Sequence, residues 1–282
     1  MSVPYPSSPP AGRMPVRLQT WREGRWQQAV DDTLAVEAPL SLQVEDAAPM
    51  VTMRTPGHDA ELAAGLLYAE GVVSQAEDLL ALDPAADGQA LAVTLAPAAK
   101  ARLPRLARAG VTTSSCGVCG KADLTALGNL AGVAHQTRFP MGTLLQLPRR
   151  QRAAQRLFAD TGGLHAAALF DAAGRLVLLR EDVGRHNAMD KLVGRALLDG
   201  LLPLTGHCVL LSGRASFELL QKSIRAGAEL VCAVSAPSSA AVELAARHGV
   251  TLVGFLREGR ANLYTHPDRL LTAEGHDARE AR

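Results

Sequence analysis

Aromatic side chains and net charge are both scarce in this chain. Phe, Trp and Tyr together make up only 4% of its 282 residues, which argues against the base-stacking surfaces of proteins that bind single-stranded nucleic acid. The formal net charge is +1, so no general electrostatic field attracts the chain to nucleic acid or to an anionic membrane. No apolar run approaches the roughly 20 residues that a membrane-spanning helix needs. We therefore expect no nucleic acid and no membrane among its partners.

An export signal and a dense set of cysteines are also missing. The first residues, MSVPYPSSPPAGR, are rich in Pro and Ser and lack the basic-then-apolar order of a signal peptide. Only four cysteines occur, whereas small exported domains use many cysteines to make disulfides. These absences predict a protein of the reducing cytoplasm.

The length and the hydrophobic fraction are typical of a globular protein. With 282 residues, of which 48% are hydrophobic, the chain is long enough for two modest domains with their own cores. The patterning predicts a disordered lead at 1–14, a smaller α+β domain at 15–150 with a flexible C-x-x-C loop, an α/β domain at 151–270, and a disordered tail at 271–282.

The second half alternates between short apolar strands and helical segments. Segments 165–170 and 175–182 flank D-A-A-G, which is typical of a β-hairpin. The later segments C-V-L-L-S-G, E-L-V-C-A-V-S and T-L-V-G-F-L-R-E alternate with helical patterns. This order predicts a mainly parallel sheet that is covered by helices on both faces. Cys208 and Cys232 fall inside two of the strands, and we expect them to be small core hydrophobes.

Polar stretches follow four of the predicted strands. In open α/β sheets ligands bind beyond the carboxyl ends of the strands. At those ends the sequence reads R-E-D-V-G-R-H-N, L-S-G-R-A-S, V-S-A-P-S-S and F-L-R-E-G-R. We therefore expect a ligand site at this edge of the sheet.

The other two cysteines, Cys116 and Cys119, form a C-x-x-C motif in the loop T-T-S-S-C-G-V-C-G-K. A structural zinc site needs four ligands, usually from two pairs, and here there is no second pair; His135 and His165 are not in paired spacing. A thioredoxin-like dithiol opens a helix after a core strand, and the preceding R-A-G-V-T-T-S-S is not a convincing strand.

A sulfur carrier is a third interpretation of the C-x-x-C loop. It needs an accessible, mobile cysteine that can visit two partners, and the glycines that flank the pair supply backbone freedom. Lys121 can stabilise a thiolate or persulfide, and a second thiol can resolve the intermediate by exchange. The remaining alternative is a loop in which the two cysteines are incidental. The residues alone leave all four interpretations open.

Five motifs resemble those of the FdhD family, in family order from about Pro39 to Arg269: R-T-P-G-H-D-A-E-L-A-A-G-L-L-Y-A-E-G, S-S-C-G-V-C-G-K, E-D-V-G-R-H-N-A-M-D-K, L-S-G-R-A-S-F-E and Y-T-H-P-D-R. The resemblance implies a homodimeric sulfurtransferase that formate dehydrogenase requires. A cysteine desulfurase would load Cys116 with persulfide sulfur, with Cys119 as its companion. The protein would then deliver the sulfur to the molybdenum of bis-molybdopterin guanine dinucleotide. A non-catalytic chaperone for the same cofactor is the alternative.

The resemblance also implies a fold and a binding site. The second half would be similar to cytidine deaminases, but the zinc ligands of those enzymes are absent here, so we expect no zinc and no other metal ligand site. Asp182 or Glu181 would accept hydrogen bonds from guanine, and arginines and a helix N-terminus would bind pyrophosphate. The expected cofactor-binding residues are Phe255, Leu256, Arg257, Glu258, Gly259, Arg260, Arg185, His186, Ser212, Gly213 and Arg214.

Overall fold

The computed structural model describes residues 12–108 and 137–272. The first part contains β1 (Arg13–Leu18), β2 (Trp21–Arg22), β3 (Arg25–Trp26), β4 (Val30–Ala35), β5 (Ala38–Val44), β6 (Met50–Arg54), α1 (Asp59–Ala69), β7 (Leu79–Pro84), β8 (Ala90–Leu95), α2 (Pro97–Lys100) and α3 (Pro104–Arg108).

The second part contains β9 (Phe139–Pro140), α4 (Met141–Leu144), α5 (Leu147–Ala154), α6 (Arg156–Thr161), β10 (His165–Asp171), β11 (Leu176–Asp182), α7 (Arg185–Leu198), β12 (His207–Leu211), α8 (Phe217–Arg225), β13 (Leu230–Ala233), α9 (Ser239–Arg247), β14 (Thr251–Arg257), β15 (Arg260–Thr265) and β16 (Leu270–Leu271). Within the described ranges, no helix combines the length and the apolar character needed to cross a bilayer.

A six-stranded sheet in the order β11-β10-β12-β13-β14-β15 is the centre of the second part. The hairpin of β10 and β11 is confirmed. Strands β12, β13 and β14 run parallel, but β10 is antiparallel to both of its neighbours, and β15 is antiparallel to β14. The prediction of a mainly parallel sheet is therefore wrong: the sheet is mixed, because β10 lies between its hairpin partner and β12 and because β15 pairs antiparallel with β14.

Helices cover both faces of this sheet, as predicted. Alternate strand residues such as Leu169 and Val209 pack against α7, α8 and α9 on one face. The residues between them pack against the segment of β9, α4 and α5 on the other face. Cys208 and Cys232 belong to this second core; both are 0% exposed, and their sulfur atoms are 3.6 Å apart. Burial raises the pKa of Cys208, so the prediction that these cysteines are core hydrophobes is confirmed.

The first part contains a four-stranded sheet in the order β6-β5-β8-β7, and α1 packs on it. Helix α1 confirms the helix predicted there, with Gly71 just beyond its end at a φ of +77°. The opposite side of α1 packs on α7 at very close range. An ideal Cβ on Gly65 would lie 1.9 Å from the carbonyl oxygen of Asp190, and one on Gly194 would lie 1.8 Å from that of Glu61. Two glycines thus set the helix crossing that joins the two cores.

The domain boundaries proposed from the sequence at 14/15, 150/151 and 270/271 stay a prediction. The similarity of the second half to cytidine deaminases also stays a prediction.

Candidate functional site

Three strand-end segments lie side by side at the carboxyl edge of the six-stranded sheet. The carbonyl of Gly213, just after β12, accepts a hydrogen bond from the Ser235 amide at 3.3 Å, and Ala215 donates to the carbonyl of Ala236 at 3.2 Å. The amide of Phe255 donates to the carbonyl of Ser235 at 3.1 Å. The structure therefore brings the predicted residues 212–214 and 255–260 to one edge.

A β-bulge changes the direction of β14 at this edge. The pairing of β14 with β15 shifts between Gly254 and Arg257, and Phe255 has a φ of +50°, which is the left-handed region that non-glycine residues seldom adopt. An ideal Cβ on Gly254 would lie 2.8 Å from the ring of Pro237, so the close approach of the two segments requires glycine. Backbone conformations of this kind are frequent at functional sites.

The tip that follows the bulge carries two exposed arginines. Arg257 pairs with Arg260 across a two-residue turn of Glu258 and Gly259, and Gly259 has a φ of +72°. The guanidinium carbon of Arg260 lies 5.8 Å from the centre of the Phe255 ring. Both guanidinium groups are free to meet an anionic ligand from the solvent. Leu256 differs from its neighbours, because its side chain is 0% exposed in the core, so only its backbone is available to a ligand.

The start of α7 adds a third basic group to the same edge. The Nε atom of Arg185 is buried and has no hydrogen-bond partner among the described residues. His165, at the start of β10, lies beside Gly213, where an ideal Cβ would be 3.4 Å from the Nδ1 atom of the ring. Burial lowers the pKa of His165, and the charge of Arg185 lowers it further. The ring is therefore neutral near pH 7.

The remaining predicted residues occupy different environments. The Nε2 atom of His186 lies 3.1 Å from Glu218 Oε2 of α8, and the His186 side chain is only 11% exposed, so it faces the protein interior. The hydroxyl oxygen of Ser212 accepts a hydrogen bond from the amide of Ala166 at 2.8 Å. Arg214 is exposed. Cofactor binding by these residues stays a prediction.

Asp182 is not available to guanine, and that prediction is wrong. Its side chain is 0% exposed. One oxygen accepts hydrogen bonds from the Gly184 amide at 2.8 Å and from Asn187 Nδ2 at 3.2 Å. The other accepts from the Thr55 amide at 3.1 Å and lies 2.7 Å from Lys191 Nζ. Asp182 and Lys191 of the motif E-D-V-G-R-H-N-A-M-D-K therefore hold the start of α7 against Thr55, just after β6.

Glu181 also has a structural role. Its carboxylate oxygens accept hydrogen bonds from the backbone amides of Leu157 at 3.1 Å and Phe158 at 2.8 Å. These amides belong to the first turn of α6, where N–H groups have no partner within the helix. Glu181 thus fixes α6 beside the sheet edge, and both of its oxygens are already engaged.

A further ion pair joins α1 to the edge strand β11. Arg180 Nη2 lies 2.8 Å from Glu61 Oε1, and Glu61 is 7% exposed. Burial raises the pKa of Glu61, but hydrogen bonds from Arg180 and His58 and the charges of these residues outweigh the effect, so the pKa falls to about 2.

This pair predicts a specific loss of stability in acid. The pKa of Glu61 is lower in the folded protein than its ordinary value of 4.5, so its stabilising effect is present above pH 4.5 and is lost as the pH falls towards 2. The natural protein should lose unfolding free energy as the pH falls through this window. In Glu61→Gln we expect that loss to be smaller, by at most about 3 kcal/mol. Urea unfolding at several pH values measures this. Arg180→Gln should reduce it similarly, and an unchanged pH dependence in both variants would contradict the assignment.

Several residues near the edge were missed from the sequence as ligand-binding candidates. Gln155, Arg152 and Phe158 line a pocket there together with His165, and no motif pointed to the first three. Cys116 and Cys119, with the rest of the C-x-x-C loop, lie outside the described residues.

Known proteins resemble this chain over most of its length. Residues 35–271 match the FdhD/NarQ family. A protein of Mycolicibacterium paratuberculosis named sulfur carrier protein FdhD is 49% identical over 250 residues, which cover 85% of this chain and 92% of that protein. One of the same name from Sulfurisphaera tokodaii is 41% identical over 244 residues, covering 86% and 92%.

A solved structure agrees with these sequence matches. It is described as a formate dehydrogenase accessory protein from Desulfotalea psychrophila, and it superposes with a TM-score of 0.75 at 26% identity. The superposition covers 92% of this chain and 99% of the other. Together with the motifs at the sheet edge, the extent of these matches shows that the chain belongs to the FdhD/NarQ family.

Proposed function

We propose that this protein is a sulfur carrier that supplies formate dehydrogenase with a sulfurated molybdenum cofactor. The observation that carries the proposal is the meeting of Arg185, Arg257 and Arg260 with the ends of three strands at one edge of the sheet. A carrier must hold an anionic acceptor next to its sulfur. The names of relatives at 41–49% identity agree with this role.

The sulfur step needs a nucleophilic thiolate and no external oxidant. Cys116 attacks the outer sulfur of a persulfide on a cysteine desulfurase; a new S–S bond forms, the old one breaks, and the desulfurase cysteine leaves as a thiolate. Cys119 then attacks the inner sulfur of the Cys116 persulfide. The bond to the outer sulfur breaks as the Cys116–Cys119 disulfide forms, and the outer sulfur leaves with the electron pair as hydrosulfide, which passes to the acceptor.

The acceptor is bis-molybdopterin guanine dinucleotide, which the protein binds as a client. Its pyrophosphates suit guanidinium groups, which donate two parallel hydrogen bonds to an anion. The buried Nε atom of Arg185 has no partner among residues of the described ranges, so a phosphate oxygen there would satisfy a donor that is otherwise costly to bury. Exposed Arg214 and the Phe255–Arg260 segment extend the same surface.

The proposal also specifies partners and location. The donor is a cysteine desulfurase, the recipient is formate dehydrogenase, the carrier acts as a homodimer, and all of them meet in the cytoplasm. Of the four cysteines, Cys208 and Cys232 are 0% exposed, so neither can reach a second protein without unfolding of the core.

The experiment that tests the proposal is sulfur loading of the full chain. We expect incubation with a cysteine desulfurase and cysteine, without reductant, to add one sulfur atom, seen by intact mass spectrometry. The Cys116→Ala variant should take up no sulfur, because it lacks the accepting thiol.

Cys208→Ala is the matched control, because it removes a thiol that is buried. It should be loaded like the natural protein. If the natural protein acquires no sulfur but still binds the cofactor, it is a non-catalytic chaperone and the carrier mechanism is wrong. Loading of Cys116→Ala to the normal extent would assign the sulfur to another residue.

A further inference from the structure

A basic run without acidic residues precedes the C-x-x-C loop. Arg102, Arg105 and Arg108 recur every third residue. No Asp or Glu occurs between Asp87 and Asp123. In a chain whose formal net charge is only +1, such a run gives one region of the molecule a local excess of positive charge.

The side chains of Arg105 and Arg225 converge on Gly71 at the end of α1. Arg105 Nη1 donates to the carbonyl of Gly71 at 2.9 Å, and Arg225 Nε donates to the carbonyl of Tyr68. An ideal Cβ on Gly71 would lie 3.3 Å from Arg105 Nη1 and 3.0 Å from Arg225 Nη2. The two guanidinium groups are therefore close neighbours, although like charges repel each other.

The positive charge of these two side chains is not neutralised by an ion pair within the described part of the chain. Both guanidinium groups donate to backbone carbonyls, and neither contacts a described carboxylate. Burial lowers the pKa of Arg225, the charge of Arg105 lowers it further, and the charge of Glu70 opposes both effects. Arg102 lies beside them but has a partner, since its Nη2 atom is 2.6 Å from Asp78 Oδ2. These three arginines form an arginine cluster whose repulsion an incoming carboxylate would relieve.

The arginine cluster lies at the end of the sheet opposite to the proposed client site. Helix α8 begins after the carboxyl end of β12, and Arg225 is its last residue. The carbonyl of Ala226 accepts from the amide of Leu204 at 2.8 Å, and the carbonyl of Leu204 accepts from the amide of His207 at 3.3 Å. His207 is the first residue of β12. The cluster is therefore beside the amino end of β12, whereas the client site lies beyond its carboxyl end.

The chain enters and leaves the C-x-x-C loop at this same end of the sheet. Helix α3 carries Arg105 and ends at Arg108, and Cys116 follows only eight residues later. On the other side of the loop, the Oγ1 atom of Thr137 would be 3.6 Å from an ideal Cβ on Gly206, just before β12. A protein that delivers sulfur to Cys116 therefore meets the arginine cluster rather than the client site.

We propose that the arginine cluster docks an acidic surface of the protein that donates the persulfide sulfur. This inference rests on the proposed function, because only a sulfur carrier needs such a donor. Carboxylates of the donor form charge-assisted hydrogen bonds with the guanidinium groups, and the excess of positive charge accelerates the encounter. Arg105 is the exposed member of the cluster and makes the first contact. Donor and client then occupy opposite ends of the sheet and do not compete for space.

The initial rate of sulfur loading tests the proposal, with the full chain as the varied substrate of a cysteine desulfurase from the same organism. We expect Arg105→Glu to raise the KM for the chain about tenfold, because an exposed positive charge becomes a negative one. Arg105→Gln, which only removes the charge, should raise it about threefold. An unchanged KM in Arg105→Glu would overturn the proposal.

Arg149→Glu is the matched control for the change in net charge. Arg149 is also exposed and forms no ion pair among the described residues, but it belongs to α5 and not to the arginine cluster. Its replacement should leave the KM for the chain unchanged. A rise as large as that in Arg105→Glu would show that net charge alone decides the rate, and the docking site would be wrong.

A small persulfide donor separates docking from chemistry. Cysteine persulfide needs no docking surface, so it should load Arg105→Glu at the rate of the natural chain. Equal slowing with both donors would mean that Arg105 acts on the accepting thiol, which would overturn the docking site. GDP contains the guanine and the pyrophosphate of the client, and calorimetry should give the same Kd for GDP in Arg105→Glu and in the natural chain. A weaker affinity in the variant would assign Arg105 to the client site instead.

Direct binding distinguishes failure of this inference from failure of the carrier function. The Kd of the full chain for the desulfurase should rise about tenfold in Arg105→Glu, whether or not sulfur is transferred. If cysteine persulfide loads the natural chain but the desulfurase neither binds nor loads it, the docking site alone is overturned. If the natural chain binds the desulfurase through Arg105 but neither donor loads it, the carrier function alone is overturned.

Discussion

Replacement of Lys191 by Met is expected to lower the free energy of unfolding by about 3–5 kcal/mol. Lys191 Nζ lies 2.7 Å from Asp182 Oδ2, and the two side chains are 1% and 0% exposed. The ammonium group also donates to the carbonyl of Thr55 at 2.8 Å. Its removal leaves a buried carboxylate without its countercharge and a buried carbonyl without its donor, and both losses are costly. Urea unfolding of the full chain measures the change.

Lys100→Met is the matched control, because Lys100 also makes an ion pair but at the surface. Its side chain is 49% exposed and its Nζ atom lies 2.9 Å from Glu45 Oε2, so we expect a much smaller loss than in Lys191→Met, because solvent screens a surface pair. Addition of Asp182→Asn to Lys191→Met should cost less than the sum of the two single changes, since the double variant contains neither buried charge. If Lys191→Met were no more destabilised than Lys100→Met, the network would not hold the two parts together.

The elements of the second half could be predicted because their signals are local. The D-A-A-G turn between two apolar segments indicated the hairpin of β10 and β11, and both strands are present. The direction in which β10 pairs with β12 has no local signal, because a strand buried on both faces shows the same apolar run whichever way it pairs. This non-local choice, together with the antiparallel pairing of β15 with β14, makes the sheet mixed.

The candidate site could be predicted where its position follows from the strand ends, and not where it depends on contacts between distant segments. Residues 212–214 and 255–260 meet because the carboxyl ends of neighbouring strands share an edge. Asp182 was misassigned because its partners Thr55 and Lys191 come from other elements, and Thr55 is distant in the sequence. Gln155 and Arg152 were missed for a related reason: only the packing of α5 and α6 beside the sheet brings them to the edge.

The buried polar network of Asp182, Asn187, Lys191 and Thr55 is physically connected to the candidate site. Asp182 and Asn187 fix the first turn of α7, and Arg185 belongs to the same turn. A shift of α7 would therefore move the buried guanidinium relative to the ends of β12 and β14. Since α7 is held on its other side by α1, the crossing of these helices sets how far the first part of the chain lies from the proposed client site.

Gly194→Ala is expected to destabilise the protein at or above the upper end of about 1–3 kcal/mol, the usual cost of overpacking. An ideal Cβ at this position would lie 1.8 Å from the backbone oxygen of Glu61. No rotation of a side chain relieves a contact with backbone, so α1 and α7 must separate and lose apolar contacts along both helices. Gly65→Ala faces the same obstacle at 1.9 Å from the carbonyl of Asp190. Urea unfolding should show both losses.

The two glycine changes should not be additive, because one separation of the helices makes room for both methyl groups. Gly142→Ala in α4 is the matched control: nothing lies within 4 Å of its ideal Cβ, and in a helix alanine is favoured over glycine by about 1 kcal/mol. We therefore expect that variant to be at least as stable as the natural chain. Unfolding of Gly194→Ala at the same urea concentration as Gly142→Ala would show that the helices do not cross as closely as the structure has them. The same separation should also weaken GDP binding in Gly194→Ala, because α7 carries Arg185 at its first turn.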